Sequence, residues 1–103
     1  MATRLDKLQE MAARDPRNAF LRYGLAQELA NQNRLEEAAA EFATLIETDP
    51  DYCYAYFHCA RTLEKLDRKE EARALYRRGI EAAIRKGDQK ARSELEGALE
   101  QLG

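Results

Sequence analysis

The sequence predicts an all-α protein made of antiparallel helical hairpins, and three observations lead to that fold class. Apolar residues recur with the helical period along the chain, and no stretch alternates as a strand does. The composition has 35% charged residues with only 5 Gly and 2 Pro, which is typical of helical domains. Finally, Asp-Pro followed by an aromatic-rich helical pattern occurs at Asp15 and again at Asp49, 34 residues later.

The first predicted helix spans residues 2–14, with Thr3 as its N-cap, and stops before Pro16, which disfavours a helical residue ahead of it. The second spans 17–31 and ends in an Asn-rich turn at 31–33, because Asn tolerates left-handed dihedrals. The residues expected to face inward are Leu5, Leu8, Met11, Ala12, Leu21, Leu25, Ala26 and Leu29.

The third helix is expected over 35–48, ending at Asp49-Pro50, and the fourth over 51–66, ending at a turn at 67–68. The fifth is expected over 69–86 and the sixth over 89–102. Between the last two, Gly87 suits a helix C-terminus and Asp88 an N-cap. The inward residues of these four helices are Ala38, Phe42, Leu45, Ile46, Tyr56, Cys59, Ala60, Leu63, Ala72, Leu75, Tyr76, Ile80, Ile84, Ala91, Leu95, Ala98, Leu99 and Leu102.

Short turns between consecutive helices make them antiparallel neighbours, so the structural unit is a helical hairpin. A shift of 34 residues superimposes one hairpin on the next, pairing small with small and large with large side chains. The pairs are Leu25-Ala26 with Cys59-Ala60, Leu29 with Leu63, Ala38 with Ala72, and Phe42 with Tyr76. This alternation of sizes allows hairpins to stack closely.

These residues resemble the tetratricopeptide repeat, a helical hairpin of 34 residues. The matches are Leu25, Ala26, Leu29, Ala38, Phe42 and Pro50, then Tyr56, Ala60, Leu63, Ala72 and Tyr76. The departures are Arg22 for an aromatic residue, Cys59 for a leucine, Leu45 for a small residue and Ile84 for the proline. The resemblance implies a single domain: a right-handed stack of a half repeat (1–16), two repeats (17–50 and 51–86) and a capping helix (87–103).

The last helix does not continue the 34-residue register, which would place Ser93 and Glu94 in the core. Its apolar stripe fits instead if the chain arrives about two residues late, a delay assigned to residues 86–88. Such a helix, apolar on one side only, caps the open face of the last hairpin.

Composition and sequence patterns exclude several classes of function. The net charge of -2 provides no basic excess for nucleic acid. No signal peptide or membrane span is recognisable, so a cytoplasmic protein is expected. Cys53 and Cys59 point to different helix faces and are expected as reduced thiols.

Catalytic and metal sites are not expected either. His58 and Cys59 are adjacent on a helix and do not face each other, and Cys59 occupies a core position. No metal-ligand set, phosphate loop or cofactor motif is present. The basic residues Lys69, Arg73 and Arg77 are interleaved with glutamates, which favours a solvated outer face over an anion site.

The resemblance implies that the first helix of each hairpin lines a concave groove that holds a peptide. Matching residues are Phe20, Tyr23, Gln27 and Ala30, then Tyr54, Phe57, Arg61 and Glu64, with Lys90 and Ser93 of the cap at the far end. Aromatic rings beside cations suit binding, whereas the alternative for Tyr54 and Phe57 is packing between hairpins. Some members of the family bind the C-terminal carboxylate of chaperones through a Lys and an Asn on the first inner helix. This mode of binding is disfavoured here, because Tyr23 and Gln27 replace those two residues.

We therefore expect a non-enzymatic module, without cofactor, that binds a peptide segment of another protein. The alternative function is a structural subunit that associates with itself, as a homodimer, through its end faces or capping helix.

Overall fold

The computed structural model describes residues 2–103, and the elements within that range are six α-helices with no strand. They are α1 (Arg4–Arg14), α2 (Ala19–Asn31), α3 (Leu35–Thr48), α4 (Cys53–Lys65), α5 (Lys69–Lys86) and α6 (Gln89–Leu102). The all-α prediction is confirmed. Three helices, α1, α2 and α4, begin two residues later than expected, because the residues ahead of them form the caps and the turns after Asp-Pro.

Local sequence accounts for the helix ends. Thr3 and Asp6 form a capping box at the start of α1, with both hydrogen bonds at 3.1 Å. Asp88 accepts a hydrogen bond from the Ala91 amide at 3.0 Å, and Gly87 before it has φ +72°. Asn33 takes the left-handed conformation at φ 62°, as expected for the turn after α2.

Each helix packs against the next, so the chain is a stack of antiparallel hairpins measuring 43 × 29 × 19 Å. The even-numbered helices also touch one another, α2 against α4 and α4 against α6. The odd-numbered helices do not approach each other as closely. The even-numbered helices therefore form one side of the stack, and the groove residues expected from the sequence lie on them.

The core confirms the size pattern of the repeat. Alanines at the helix crossings have no exposed surface, and the large rings of Phe42 and Tyr76 are buried beside them. The fully covered alanines include Ala26, Ala38, Ala60 and Ala72. Cys59 is 2% exposed and occupies a core position, as predicted.

Two residues expected in the core are exposed. Met11 is 47% exposed because α1 is half of a hairpin and packs only against α2. Ile84, in the last turn of α5, is 54% exposed whereas Ala83 in the same turn is 1% exposed, so the neighbouring helices cover only one side of this turn. Leu21 is only half-buried, and most of the remaining inward residues near the ends of the stack are also partly covered.

The register change before α6 originates in α5. Ala91 and Leu95 are buried while Ser93 and Glu94 are exposed, which confirms the delay of two residues. The sequence interpretation assigned this delay to residues 86–88 alone. In the structure, the greater length of α5 also contributes to it. With Ile84 in place of the repeat's proline, α5 continues to 18 residues where α3 ends after 14, and a shorter turn follows.

Candidate binding groove

Two hollows lie between the even-numbered helices, one repeat apart. The α2–α4 pocket, of about 180 Å³, is lined by Gln27, Ala30, Asn31, Phe42, His58, Arg61, Thr62 and Lys65. The α4–α6 pocket, of about 260 Å³, is lined by Arg61, Glu64, Tyr76, Ala98 and Gln101. The core rings Phe42 and Tyr76 contribute equivalent positions to the two pockets, and Arg61 lines both. Stacking of the repeats therefore creates the pockets, and sequence differences between the repeats make their chemistry unequal.

A continuous set of rings supports the groove. Tyr23 lies 5.2 Å from Tyr52, 5.6 Å from His58 and 6.2 Å from Phe42, measured between ring centroids. Phe57, the neighbour of His58 on α4, lies 5.3 Å from the His58 ring and extends the same set. We call these five residues the aromatic cluster. Its pairs are largely edge-to-face or tilted, the arrangements in which aromatic rings attract each other.

Tyr23, expected as an exposed groove residue, is half-buried within this cluster. Burial, followed by the nearby Tyr52 and Tyr54, raises the pKa of Tyr23 to about 12. Its hydroxyl accepts a hydrogen bond from Gln27 Nε2 at 3.0 Å, which orients the amide beside the α2–α4 pocket. The ring of Tyr23 thus packs within the aromatic cluster, and its hydroxyl is bound to a residue of the groove, Gln27.

Phe57 and Arg61 act as a pair on α4. Phe57 is half-buried, while the guanidinium carbon of Arg61 lies 5.7 Å from the centre of its ring. A cation over a ring face is attracted to the π electrons and is held without losing its N–H donors. Phe57 therefore has a packing role and also positions the exposed Arg61.

Phe20, Tyr54 and Lys90, which were also expected in the groove, line neither pocket, and the same is true of Ser93. Phe20, at the start of α2, is 77% exposed and does not pack against the core. Tyr54 is half-buried at the start of α4, where burial and the nearby Glu94 raise its pKa. Lys90 is exposed in the first turn of α6. These residues lie at the N-terminal ends of their helices, whereas the pocket residues come from later turns.

The α4–α6 pocket contains a buried tyrosine bound to a carboxylate. The Tyr76 hydroxyl donates a short hydrogen bond to Glu64 Oε2, and the whole side chain of Tyr76 is covered. Burial and the Glu64 charge raise the pKa of Tyr76 well above its usual value. The equivalent residues of the α2–α4 pocket are Ala30 in place of Glu64 and Phe42 in place of Tyr76, so of the two pockets only the second is lined by a carboxylate.

His58 lines the α2–α4 pocket, a position that the sequence interpretation did not give it. Burial, and then the positive charge of Arg61, lower the pKa of His58, while Glu94 opposes the shift. The imidazole is therefore neutral at physiological pH and stacks on Phe42, with ring centroids 6.1 Å apart.

The two thiols are free and buried, at 3% exposure for Cys53 and 2% for Cys59. Burial raises the pKa of Cys59 to about 11, so its nucleophilic thiolate is scarce at neutral pH. Within residues 2–103, no three His, Cys, Asp or Glu side chains form a group that could hold a metal ion.

Larger hollows lie between the odd-numbered helices. One of about 490 Å³ separates α1 from α3, and one of about 450 Å³ separates α3 from α5. They contain repeat-equivalent residues, such as Ala40 in the first and Ala74 in the second. They are therefore furrows left by the spacing of the hairpins. An ion pair between Arg68 and Glu36, at 2.9 Å, bridges the second furrow.

Comparison with known protein families identifies the repeat. A family model described as tetratricopeptide repeat matches residues 5–52 and 23–88, which together include most of the chain. The chain belongs to the tetratricopeptide repeat family. The tetratricopeptide fold generally implies a protein–protein interaction module, and such proteins are generally non-enzymatic scaffolds.

Relatives agree with this assignment along the chain. A TPR repeat-containing protein of Pseudomonas aeruginosa is 26% identical over 98 residues, covering 95% of this chain and 93% of the relative. The solution structure of a tetratricopeptide repeat domain protein from Salinibacter ruber is 42% identical, with a TM-score of 0.80, covering 84% of this chain and 88% of that one. The solution structure of a Bordetella parapertussis protein has a TM-score of 0.83 at 27% identity, covering 99% and 89%.

Among residues 2–103, no helix combines the length and the apolar character that crossing a bilayer requires.

Asn31, His58, Thr62 and Lys65 line the α2–α4 pocket but were not among the groove residues predicted from the sequence. The repeat itself contained a signal for two of them. Asn31 and Lys65 are 34 residues apart, and each follows a predicted groove residue, Gln27 or Arg61, by one helical turn. His58 had no such signal, because its neighbour Phe57 was assigned to the groove side and adjacent helical residues point about 100° apart.

Proposed function

We propose that this tetratricopeptide repeat protein is a non-enzymatic module whose groove, on the side of α2, α4 and α6, binds a peptide segment of a partner protein. The observation that supports this most directly is Phe20. It is a large apolar ring, 77% exposed, near the start of α2, and its spacing places it on the helix face that also presents Gln27 and Asn31 to the α2–α4 pocket. An exposed ring of this kind beside fixed polar groups provides the apolar contact area that dominates peptide recognition.

The length of the groove sets the scale of the interaction. Two repeats and a cap present a short surface, so we expect an interface below about 1,200 Å² and affinity on the order of micromolar. Binding of this strength is reversible, which suits a transient contact more than a permanent assembly.

The experiment selects peptides from a displayed random library on the folded chain and measures their binding to two variants by fluorescence anisotropy. Phe20→Ser removes the exposed ring of the groove, and we expect it to weaken binding about tenfold or more. Met11→Ser is the matched control, because Met11 is also apolar and exposed but lies on α1. Equal affinity of the wild-type chain and Phe20→Ser for every selected peptide would reject the groove.

Tyr23→Ala is a less suitable probe, because Tyr23 packs against Phe42, Tyr52 and His58 and its loss would disturb the fold. Light scattering at several concentrations tests the alternative of self-association. A stable dimer that Phe20→Ser converts to a monomer would assign the exposed ring to homodimer assembly instead of peptide binding.

A further inference from the structure

We infer that the α2–α4 pocket receives an acidic side chain, Asp or Glu, from within the bound peptide. This inference rests on the proposed function, because it requires that a peptide lies in the groove, and it specifies the chemistry that the peptide must present there.

The pocket is lined by hydrogen-bond donors from two facing helices. Arg61 and Lys65 lie four residues apart on α4, and Gln27 and Asn31 lie at the equivalent positions on α2. Residues four apart share one helix face, so each helix presents two polar groups to the same space. Since Arg and Lys have only donors and the amides add further N–H groups, the pocket is suited to an acceptor with negative charge.

Arg61 and Lys65 have no anionic partner among residues 2–103. Neither Arg61 nor Lys65 takes part in an ion pair within residues 2–103, and no Asp or Glu is among the described residues that line the α2–α4 pocket. Many other arginines of the protein, such as Arg22 with Glu41, are paired. Arg61 is positioned by the ring of Phe57 instead, which leaves its charge available to a ligand.

Size and location favour a side chain over the end of a peptide. A hollow of about 180 Å³ is smaller than the usual range for a complete small-molecule ligand and suits a single side chain. The pocket lies between α2 and α4, and the groove continues past Arg61 to the α4–α6 pocket. A peptide that ended here would leave that second pocket empty. Glu64 lines the second pocket and would repel another carboxylate there. We therefore expect the bound peptide to place one acidic residue in the groove, in the α2–α4 pocket, and not two.

His58 provides a reporter inside the pocket. The charged or titratable groups around it are Arg61 on its own helix, Glu94 of α6 and Tyr23 of α2, and Lys65 lines the same pocket. Phe42 is the group that faces it from α3. A carboxylate bound beside the imidazole favours its protonated form, so binding raises the pKa of His58 and, by linkage, lower pH strengthens binding.

The first experiment titrates the full chain, followed by NMR, with N-acetyl-glutamate N-methylamide up to about 50 mM, since a single contact of this kind gives millimolar affinity. We expect shifts of the His58 ring signal and of the side-chain amide signals of Gln27 and Asn31, and a higher His58 pKa at saturation. The uncharged N-acetyl-glutamine N-methylamide is the matched probe, and it should leave these signals unchanged. Equal shifts with both probes would overturn the inference. N-acetylglycine represents a chain end, and stronger binding of N-acetylglycine than of the glutamate probe would also overturn it.

The second experiment uses the double variant Arg61→Gln with Lys65→Gln. We expect it to lose the response to the glutamate probe, whereas Lys69→Gln with Arg77→Gln, which removes the same charge from exposed positions of α5, should retain it. Circular dichroism confirms that both variants are folded. An unchanged response in the first variant rejects the pocket.

The two proposals fail in different ways. Selected peptides that lose binding to Phe20→Ser, yet carry no acidic residue and tolerate the Arg61 and Lys65 changes, would retain the groove and reject the acidic site. A specific response to the glutamate probe without any peptide that depends on Phe20 would retain the pocket's preference for a carboxylate, but it would reject the peptide groove and with it the assignment of the acidic group to a bound peptide.

Discussion

Arg22 and Tyr56 lie 34 residues apart at the same position of successive repeats, and each donates a hydrogen bond to the carbonyl of the equivalent proline. Arg22 Nε lies 2.8 Å from the Pro16 oxygen, and the Tyr56 hydroxyl lies 2.6 Å from the Pro50 oxygen. The family places an aromatic residue at this position, so Arg22 looked like a departure from the pattern. The structure shows that the guanidinium replaces the hydroxyl as the donor that holds the preceding turn.

Arg22→Ala should destabilise the fold. The side chain of Arg22 also pairs with Glu41 at 2.8 Å, and both partners are largely covered. Removing one partner leaves a half-buried carboxylate and a carbonyl without their donor, so we expect a loss of about 1–3 kcal/mol in the free energy of unfolding. Urea denaturation measures it. Arg14→Ala is the control, because its pair with Glu10 is exposed and should contribute within about 0.5 kcal/mol. Similar losses in both variants would show that the turn does not depend on Arg22.

Gly79→Ala should destabilise the protein although it adds a better helix former to α5. A Cβ at Gly79 would lie 2.7 Å from Tyr56 Cβ and 2.9 Å from Leu95 Cδ2, closer than packed atoms allow. The strain should exceed the helix-propensity gain of about 1 kcal/mol and give a net loss of about 1–3 kcal/mol. Gly97→Ala on α6 meets no atom within 4 Å and should stabilise by about 0.5–1 kcal/mol. Thermal unfolding of the two variants should therefore shift in opposite directions, and a stabilised Gly79→Ala variant would contradict the close crossing.

The free chain should lose stability on mild acidification because of His58. Its folded-state pKa lies below the ordinary value of 6.5, so the unfolded state binds the proton more readily. The stabilising contribution is complete above pH 6.5 and is lost as pH falls from there towards the folded-state pKa. Urea denaturation between about pH 7.5 and about pH 5 should show this decline. Because the chain has 1 His, His58→Phe should remove the decline in this window. An identical pH profile in the variant would assign the effect to other groups.

Neither thiol should react while the protein is folded. Cys53 and Cys59 are buried, and burial raises the pKa of both. A colorimetric disulfide reagent at neutral pH should therefore react only as fast as the chain opens, and with both thiols once denaturant is added. A rapid reaction of one thiol in the native protein would mean that it is activated, contrary to the core role of Cys59.

The repeat could be predicted from the sequence in detail because its signals are local or strictly periodic. The alanines at the crossings, the cap at Asp88 and the left-handed turn at Asn33 each follow from one residue type at one position. The exposure of Met11 and Ile84 could not be predicted in this way. Both lie on the apolar stripe of their helix, and only the position of neighbouring helices determines whether a stripe is covered.

The groove residues, too, could be predicted from the sequence only in part. Repeat positions indicated Gln27 and Arg61, and the structure places both on the α2–α4 pocket. The same positions also indicated Tyr23 as an exposed contact, yet its ring is half-buried among rings from α3, α4 and the turn before α4. Helical periodicity gives the side of a helix on which a residue lies, but not how deeply a neighbouring hairpin covers it.

The sequence by itself determined six helices, the N-caps at Thr3 and Asp88, and the spacing of 34 residues at which small side chains let hairpins pack closely. These properties depend on interactions within a few residues or on a pattern repeated along the chain. Only the tertiary structure decided that Met11 and Ile84 are exposed, and that Arg61 and Lys65 face Gln27 and Asn31 with no acidic partner among residues 2–103. The physical reason is that burial and charge pairing depend on distances between helices, which the stacking of whole hairpins fixes.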